Sequence, residues 1–148
     1  MVFFYVMKGE FERALQDYNQ AIQLNPHFGW AYTKRGVLKK GQGKIKEAEV
    51  DLLNAIEFAP TISESYRSLC EILYEDPTRK AEAIYYIETA ILYNPKDVDL
   101  YLFSANIQHD LGEYSEAVND YQKVLELKPE HPEREKILQA IEWLKSKK

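Results

Sequence analysis

A chain of 148 residues is long enough to bury a sizeable core, and 45% hydrophobic with 29% charged residues is ordinary for a soluble globular protein. A net charge of −5 argues against general nucleic-acid binding, which asks for a basic surface. One cysteine, Cys70, excludes an internal disulfide and fits a reducing compartment.

The chain opens on VFFYVM, residues 2–7, with no charge before Lys8. The stretch lacks a basic start, a long apolar run and a small-residue cleavage site, so it is not read as a signal peptide. A membrane span needs about 20 apolar residues, and no such run exists. No membrane partner is expected, and the location expected for these residues is cytoplasmic. A leader upstream would lie outside what they report.

The rest of the chain repeats itself. AIQLNP, AIEFAP, AILYNP and VLELKP end on Pro26, Pro60, Pro95 and Pro129, spaced by 34, 35 and 34 residues. Each is preceded by an alanine (Ala14, Ala48, Ala83, Ala117) and, four residues later, a large side chain (Tyr18, Leu52, Ile87, Tyr121). From Glu10 to Leu24, apolar residues recur at steps of three and four, the spacing of one helix face. Ile45, Ala48, Leu52, Ala55 and Ile56 repeat that face. Helices are also predicted over Trp30–Lys40, Glu64–Tyr74 and Asp99–Leu111. Gly41-Gln42-Gly43 and Gly112 break the chain after two of them, and proline closes each unit. The predicted unit is helix, tight turn, helix. Pro132-Glu133-Arg134-Glu135 is expected to start a last helix, with Pro132 at its first position and a stripe of Ile137, Leu138, Ile141 and Leu144.

These residues resemble the tetratricopeptide repeat (TPR) family, whose signature runs W-x2-L-G-x2-Y, A-x3-F, P. The opening aromatic is Tyr32, Tyr66 or Tyr101, and the Leu-Gly pair becomes Arg35-Gly36, Leu69-Cys70 and Ser104-Ala105. Arg35 and Ser104 depart from leucine; Lys39 and Gln108 depart from tyrosine. The third unit carries one extra residue near Glu75–Thr78. The resemblance implies an all-α fold, a right-handed TPR superhelix (an α-α solenoid) of antiparallel helix pairs with a C-terminal capping helix. It divides the chain into a shortened first repeat (1–26), repeats at 27–60, 61–95 and 96–129, and a cap at 130–148. Counting back from Pro26 puts Tyr5 in the last aromatic slot of a first helix. Residues 2–8 are then expected to be the second half of that helix, in a repeat whose beginning is absent.

No catalytic constellation emerges, and no enzyme activity, cofactor or metal is expected. His27, His109 and His131 show no ligand spacing, and His27 and His131 fall in predicted turns. Cys70 fills the signature glycine slot, where burial would make it inert. Gly36–Gln42 has phosphate-loop glycine spacing but Gln42 in place of lysine and no strand before it.

The resemblance implies a non-catalytic scaffold that binds a protein or peptide in a concave groove lined by first helices. Groove-facing candidates are Trp30, Thr33, Lys34, Val37 and Lys40, then Glu64, Arg67, Ser68 and Glu71, then Asp99, Leu102, Phe103, Asn106 and His109. Phe3 and Val6 join them from the first repeat. Six cations and no acid between Lys34 and Lys46 suggest a basic patch in that groove. The residue set that grips a chaperone's C-terminal carboxylates in some TPR proteins does not map here: Val37 and Thr33, or Lys34, Glu64 and Ser68, stand in its places. Trp143, off the cap's apolar stripe, is read as a partner anchor or a partly buried aromatic, the latter favoured. Two alternatives stand: homo-oligomer formation through the apolar N-terminal end, and a regulatory segment of a larger enzyme.

Overall fold

The computed structural model describes residues 2–147, with side chains from residue 8. Among the described residues there are eight α-helices and no strand. They are α1 (Val2–Leu24), α2 (Gly29–Gly41), α3 (Ile45–Phe58), α4 (Ser63–Glu75), α5 (Lys80–Tyr93), α6 (Val98–Asp110), α7 (Tyr114–Leu127) and α8 (Arg134–Lys145). The fold is the all-α arrangement of TPR helix pairs.

One local device recurs. Tyr32, Tyr66 and Tyr101 donate their hydroxyls to the carbonyls of Pro26, Pro60 and Pro95, at 2.9, 2.9 and 2.8 Å. A helix terminus leaves carbonyls without intrahelical partners, and the tyrosine satisfies one beyond each such end. The proline stops one helix, and the tyrosine ties the next to the turn it makes.

The turns inside the units use two chemistries. Gly43 and Gly112 both adopt φ of +80°, where side chains are strained, and the following N–H groups reach back to the carbonyls of Lys39 and Gln108. The longer turn after α4 has no glycine. There Asp76 accepts from the N–H and the hydroxyl of Thr78, at 2.9 and 2.7 Å. These bonds hold the Asp76 carboxyl below its usual range.

The chain divides into two compact units, Met1–Ile72 and Leu73–Lys148. In the first, Ala31 and Gly36 of α2, Ala48, Leu52 and Ala55 of α3, and Tyr66, Leu69 and Cys70 of α4 are buried. Small residues set how closely helices approach: a Cβ on Gly36 would stand 2.9 Å from Leu52 Cγ. In the second unit, Tyr101, Ala105, Ala117, Tyr121, Val124, Ile137, Ile141 and Leu144 form one cluster joining α6, α7 and α8. Burying a side chain of Leu or Ile size contributes roughly 1.5–3 kcal/mol, so stability comes from stacking helices on neighbours.

Three expectations are corrected. The break expected between a first helix ending at residue 8 and the helix that follows is absent, and α1 runs through Gly9 as one helix. Gly9 does not take the positive φ of Gly43 and Gly112, and a Cβ there would meet nothing within 4 Å, so no described neighbour forces a turn. The cap helix starts at Arg134 rather than at Pro132. His131 Nδ1 instead accepts the Glu133 N–H at 3.0 Å, forming a short turn before the helix. Leu138 lies at the edge of the cap's stripe and is partly exposed, while Ile137, Ile141 and Leu144 are buried.

Candidate functional site

The basic run from Lys34 to Lys46 is not a free positive surface. Arg35, in the signature leucine slot, sends Nε and Nη2 to the two oxygens of Asp51 at 2.8 and 2.7 Å. A further bond reaches Asn19 Oδ1 at 2.9 Å, and the guanidinium lies 5.6 Å from the centre of the Tyr32 ring. Lys39 stands 3.3 Å from Asp51 and 3.7 Å from Glu47. The hydrogen bond and charge of Asp51 hold Arg35 above its usual value. These two cations belong to packing between α1, α2 and α3, not to a ligand face.

The other two paired cations cross to α4. Lys34 Nζ bonds both carboxylate oxygens of Glu64, at 3.2 and 3.0 Å. Lys40 Nζ pairs with Glu71. Between them, Thr33 is buried, donating to the Gly29 carbonyl at 3.0 Å and sharing a 2.7 Å hydrogen bond with Ser65. Only Lys44 and Lys46, both exposed near the start of α3, are left from the run.

The second unit treats the same repeat slots differently. Ser104, Gln108 and Asp120 stand where Arg35, Lys39 and Asp51 stand in the first. Ser104 Oγ donates to Asp120 Oδ2 at 2.7 Å, and Gln108 Nε2 approaches the same oxygen at 3.4 Å. With neutral partners, burial raises the Asp120 pKa; the two hydrogen bonds pull it down, and Glu88 and Glu116 push it up. Sequence reading noted the departures at Arg35, Lys39, Ser104 and Gln108 but missed the two aspartates. The available signal was an acid on the second helix of the same two units and Tyr86 there in the third, where Leu69 and Leu73 keep the slots apolar.

The candidate groove residues fall as follows. On α2, Trp30 is 47% exposed and packs against Tyr18 and Phe28, with ring centres 5.9 and 5.7 Å apart, while Val37 is half-buried. On α4, Glu71 is exposed, Glu64 and Arg67 are half-buried, and Ser68 is buried. Thr33 and Ser68 thus support the surface from beneath. On α6, Asp99 and Asn106 are exposed and Leu102 and Phe103 half-buried. Leu102 and Asn106 line a hollow of about 160 Å³ with Tyr121, Glu133, Lys136, Ile137 and Ala140. Tyr121 donates to Asn106 Oδ1 at 2.7 Å, which leaves the Asn106 amide N–H groups to donate elsewhere. His109 packs on Trp143 at 5.3 Å between ring centres, and Tyr114 and Lys147 contact the same indole. Trp143, 45% exposed, thus joins α8 to α6 and α7 through these ring contacts and leaves much of its indole open. The side chains of Phe3 and Val6 lie outside the described residues.

No group of three His, Cys, Asp or Glu side chains among the described residues is arranged to hold a metal ion. His27 sits in a turn, stacked on Phe58 at 4.6 Å. Cys70 is buried, and burial pushes its thiol up to about 12. Gly36–Gln42 belongs to the second half of α2 and its C-terminal turn. No described helix is long and apolar enough to cross a membrane.

Comparison with known proteins fits this architecture. Family models described as "TPR repeat" and "Tetratricopeptide repeat" match residues 5–43 and 98–131. The chain belongs to the tetratricopeptide-repeat family, whose fold is that of a protein–protein interaction scaffold. Among curated proteins it is similar to Superkiller protein 3 of Schizosaccharomyces pombe, 26% identical over 76% of this chain and 8% of that protein. A DnaJ homolog subfamily C member 7 homolog of the same yeast is 23% identical over 97% of this chain and 33% of that protein. The chain thus spans a third or less of these relatives. Among solved structures, MamA superposes with a TM-score of 0.76 at 23% identity, covering 95% of this chain and 74% of that one. The first TPR of Spaghetti, bound to the HSP90 peptide SRMEEVD, superposes with a TM-score of 0.65 at 23% identity, covering 77% and 93%. At these identities the likeness shows the fold alone.

Proposed function

We propose that this chain is a non-catalytic scaffold that binds a protein or an extended peptide along the first-helix faces, α2 with α4 in the first unit and α6 with α8 in the second. The observation that carries this reading is the hollow beside α6 and α8. Its apolar lining from Leu102, Ile137 and Ala140 suits one ligand side chain, and Asn106 on its rim has amide donors for a peptide carbonyl. Well-packed helices pre-form such a face, so binding need not order it. Capture of partners from a cell extract on native protein and on Leu102→Asp, Asn106→Ala tests the reading. Partners held by the native chain and lost by the variant support it. Partners held equally by both remove the hollow from the binding face.

A second reading is self-association along α1. Phe11, Ala14, Leu38 and Glu10 line a hollow of about 220 Å³ between α1 and α2. Light scattering over a dilution series tests it, and a strict monomer at every concentration overturns it.

A further inference from the structure

We propose that Glu64 and Glu71 act as a specificity filter that excludes acidic ligands from the α2–α4 face. The inference rests on the reading of that face as a binding surface. Lysines 34 and 40, 33% and 29% exposed at their side chains, are the cations that α2 offers an incoming carboxylate there, beside the half-buried Arg67 of α4. Each is already matched by a carboxylate from α4, Lys34 by both oxygens of Glu64 and Lys40 by Glu71. The pairs are anchored from below by the Thr33–Ser65 hydrogen bond, which fixes α2 against α4 at the level of Lys34 and Glu64. The two lysines on this face are thus neutralised by the protein itself.

The consequence follows from Coulomb's law. A ligand carboxylate that approaches Lys34 or Lys40 comes within reach of Glu64 or Glu71 as well, and the attraction and repulsion offset each other. It would also displace a partner that the lysine already holds and gain no net ion pair. Ligands that bring uncharged or apolar groups to Trp30 and Val37 suffer no such penalty. Partly exposed pairs of this kind contribute little to stability, so their effect lies in ligand selection rather than in the fold.

The filter makes a gain-of-binding prediction. The probe is a fluorescently labelled SRMEEVD peptide, acidic and with a free C-terminal carboxylate, titrated with native protein and with Glu64→Gln, Glu71→Gln at low ionic strength. Glutamine keeps the shape of glutamate and removes its charge. The double variant is expected to bind at least about tenfold more tightly than the native chain, with the gain fading as salt is raised. Adding Lys34→Gln and Lys40→Gln to that variant is expected to abolish the gain. Native protein that binds the peptide as tightly as the double variant overturns the proposal, as does a gain that survives loss of both lysines. Circular dichroism of each variant confirms the helical fold; for a variant that loses it, Glu71→Gln alone is titrated, with a smaller gain expected and the absence of any gain again overturning the filter. Partner capture by the α6–α8 variant is read separately, so failure of the scaffold reading and failure of the filter are distinguishable.

Discussion

Arg35 and Asp51 meet through two parallel hydrogen bonds, 2.8 and 2.7 Å long, with the Asp51 side chain only 3% exposed. Asp120 occupies the same position two repeats later and meets a serine hydroxyl and a glutamine amide instead. The contrast gives opposite expectations for one substitution. Asp51→Asn leaves Arg35 and Lys39 without their carboxylate and should cost about 3–5 kcal/mol, the range for breaking a buried pair from one side. Asp120→Asn keeps an oxygen for Ser104 and removes a poorly solvated charge, so it should be neutral or stabilising by less than about 1 kcal/mol. Denaturant unfolding of the two variants measures the difference.

The same contrast sets a pH dependence. Burial raises the Asp120 pKa above the ordinary 3.8, so its ionised form is less favourable folded than unfolded. The folded state then holds the proton more tightly, and the cost of ionisation is present in full above the raised value. It shrinks as pH falls through that value and is gone below the unfolded one. Any stability advantage of Asp120→Asn over the native chain should therefore be largest at neutral pH and vanish in acid. Paired unfolding curves along a pH series check the sign.

Much of this fold was legible because the repeat is written redundantly. Proline, alanine and a large side chain return at one period, and all three first helices predicted from them appear within a residue or two of their expected ends. Tertiary pairing was not legible in the same way. Lys34, Lys40, Glu64 and Glu71 were visible as charges on predicted faces, but their partners sit about 30 residues away on another helix, and periodicity carries no charge register between helices. The cations of Arg35 and Lys39 read as surface when counted along the chain, and only the packing of α2 on α3 turns them toward Asp51. The break expected after residue 8 fails for a related reason: Gly9 permits a turn, but packing has to demand one.

Gly29 is a second place where packing decides. A Cβ there would stand 2.4 Å from Ala59 Cβ and 3.1 Å from the Ala59 backbone nitrogen, neither of which a rotamer change can move. Gly29→Ala should destabilise the first unit by about 1–3 kcal/mol despite alanine's better helix propensity. At Gly36 the overlap is milder, with Leu52 Cγ and Cδ2 at 2.9 and 3.0 Å and the Ala48 carbonyl oxygen at 3.3 Å, so Gly36→Ala should cost less. Thermal melts of both variants rank them, and equal costs would contradict this account.

Cys70 should be inert in the native state. With its thiol pushed up to about 12, the thiolate fraction at neutral pH is on the order of one in 10⁵, and burial blocks access. A thiol reagent is expected to label it only after denaturant is added. Cys70→Ala should change stability by less than about 1 kcal/mol, since Ala105 fills the same repeat slot without a sulfur. Rapid labelling of the folded protein would contradict the burial.

The tyrosine-to-proline bonds offer an internally controlled series. Tyr66 is fully buried and Tyr32 is not, yet both hydroxyls sit 2.9 Å from the carbonyl six residues back. Removing the hydroxyl from Tyr66 strands the Pro60 carbonyl where water has poor access, so Tyr66→Phe should cost about 1–2 kcal/mol. At Tyr32 the Pro26 carbonyl is exposed and water can replace the lost donor, so Tyr32→Phe should cost less than about 0.5 kcal/mol. Tyr101 is buried, but Pro95 is exposed as Pro26 is, so Tyr101→Phe should fall between the other two. Three unfolding curves test the ranking. Equal losses at all three sites would mean that the bond itself, and not its shielding from water, sets the contribution.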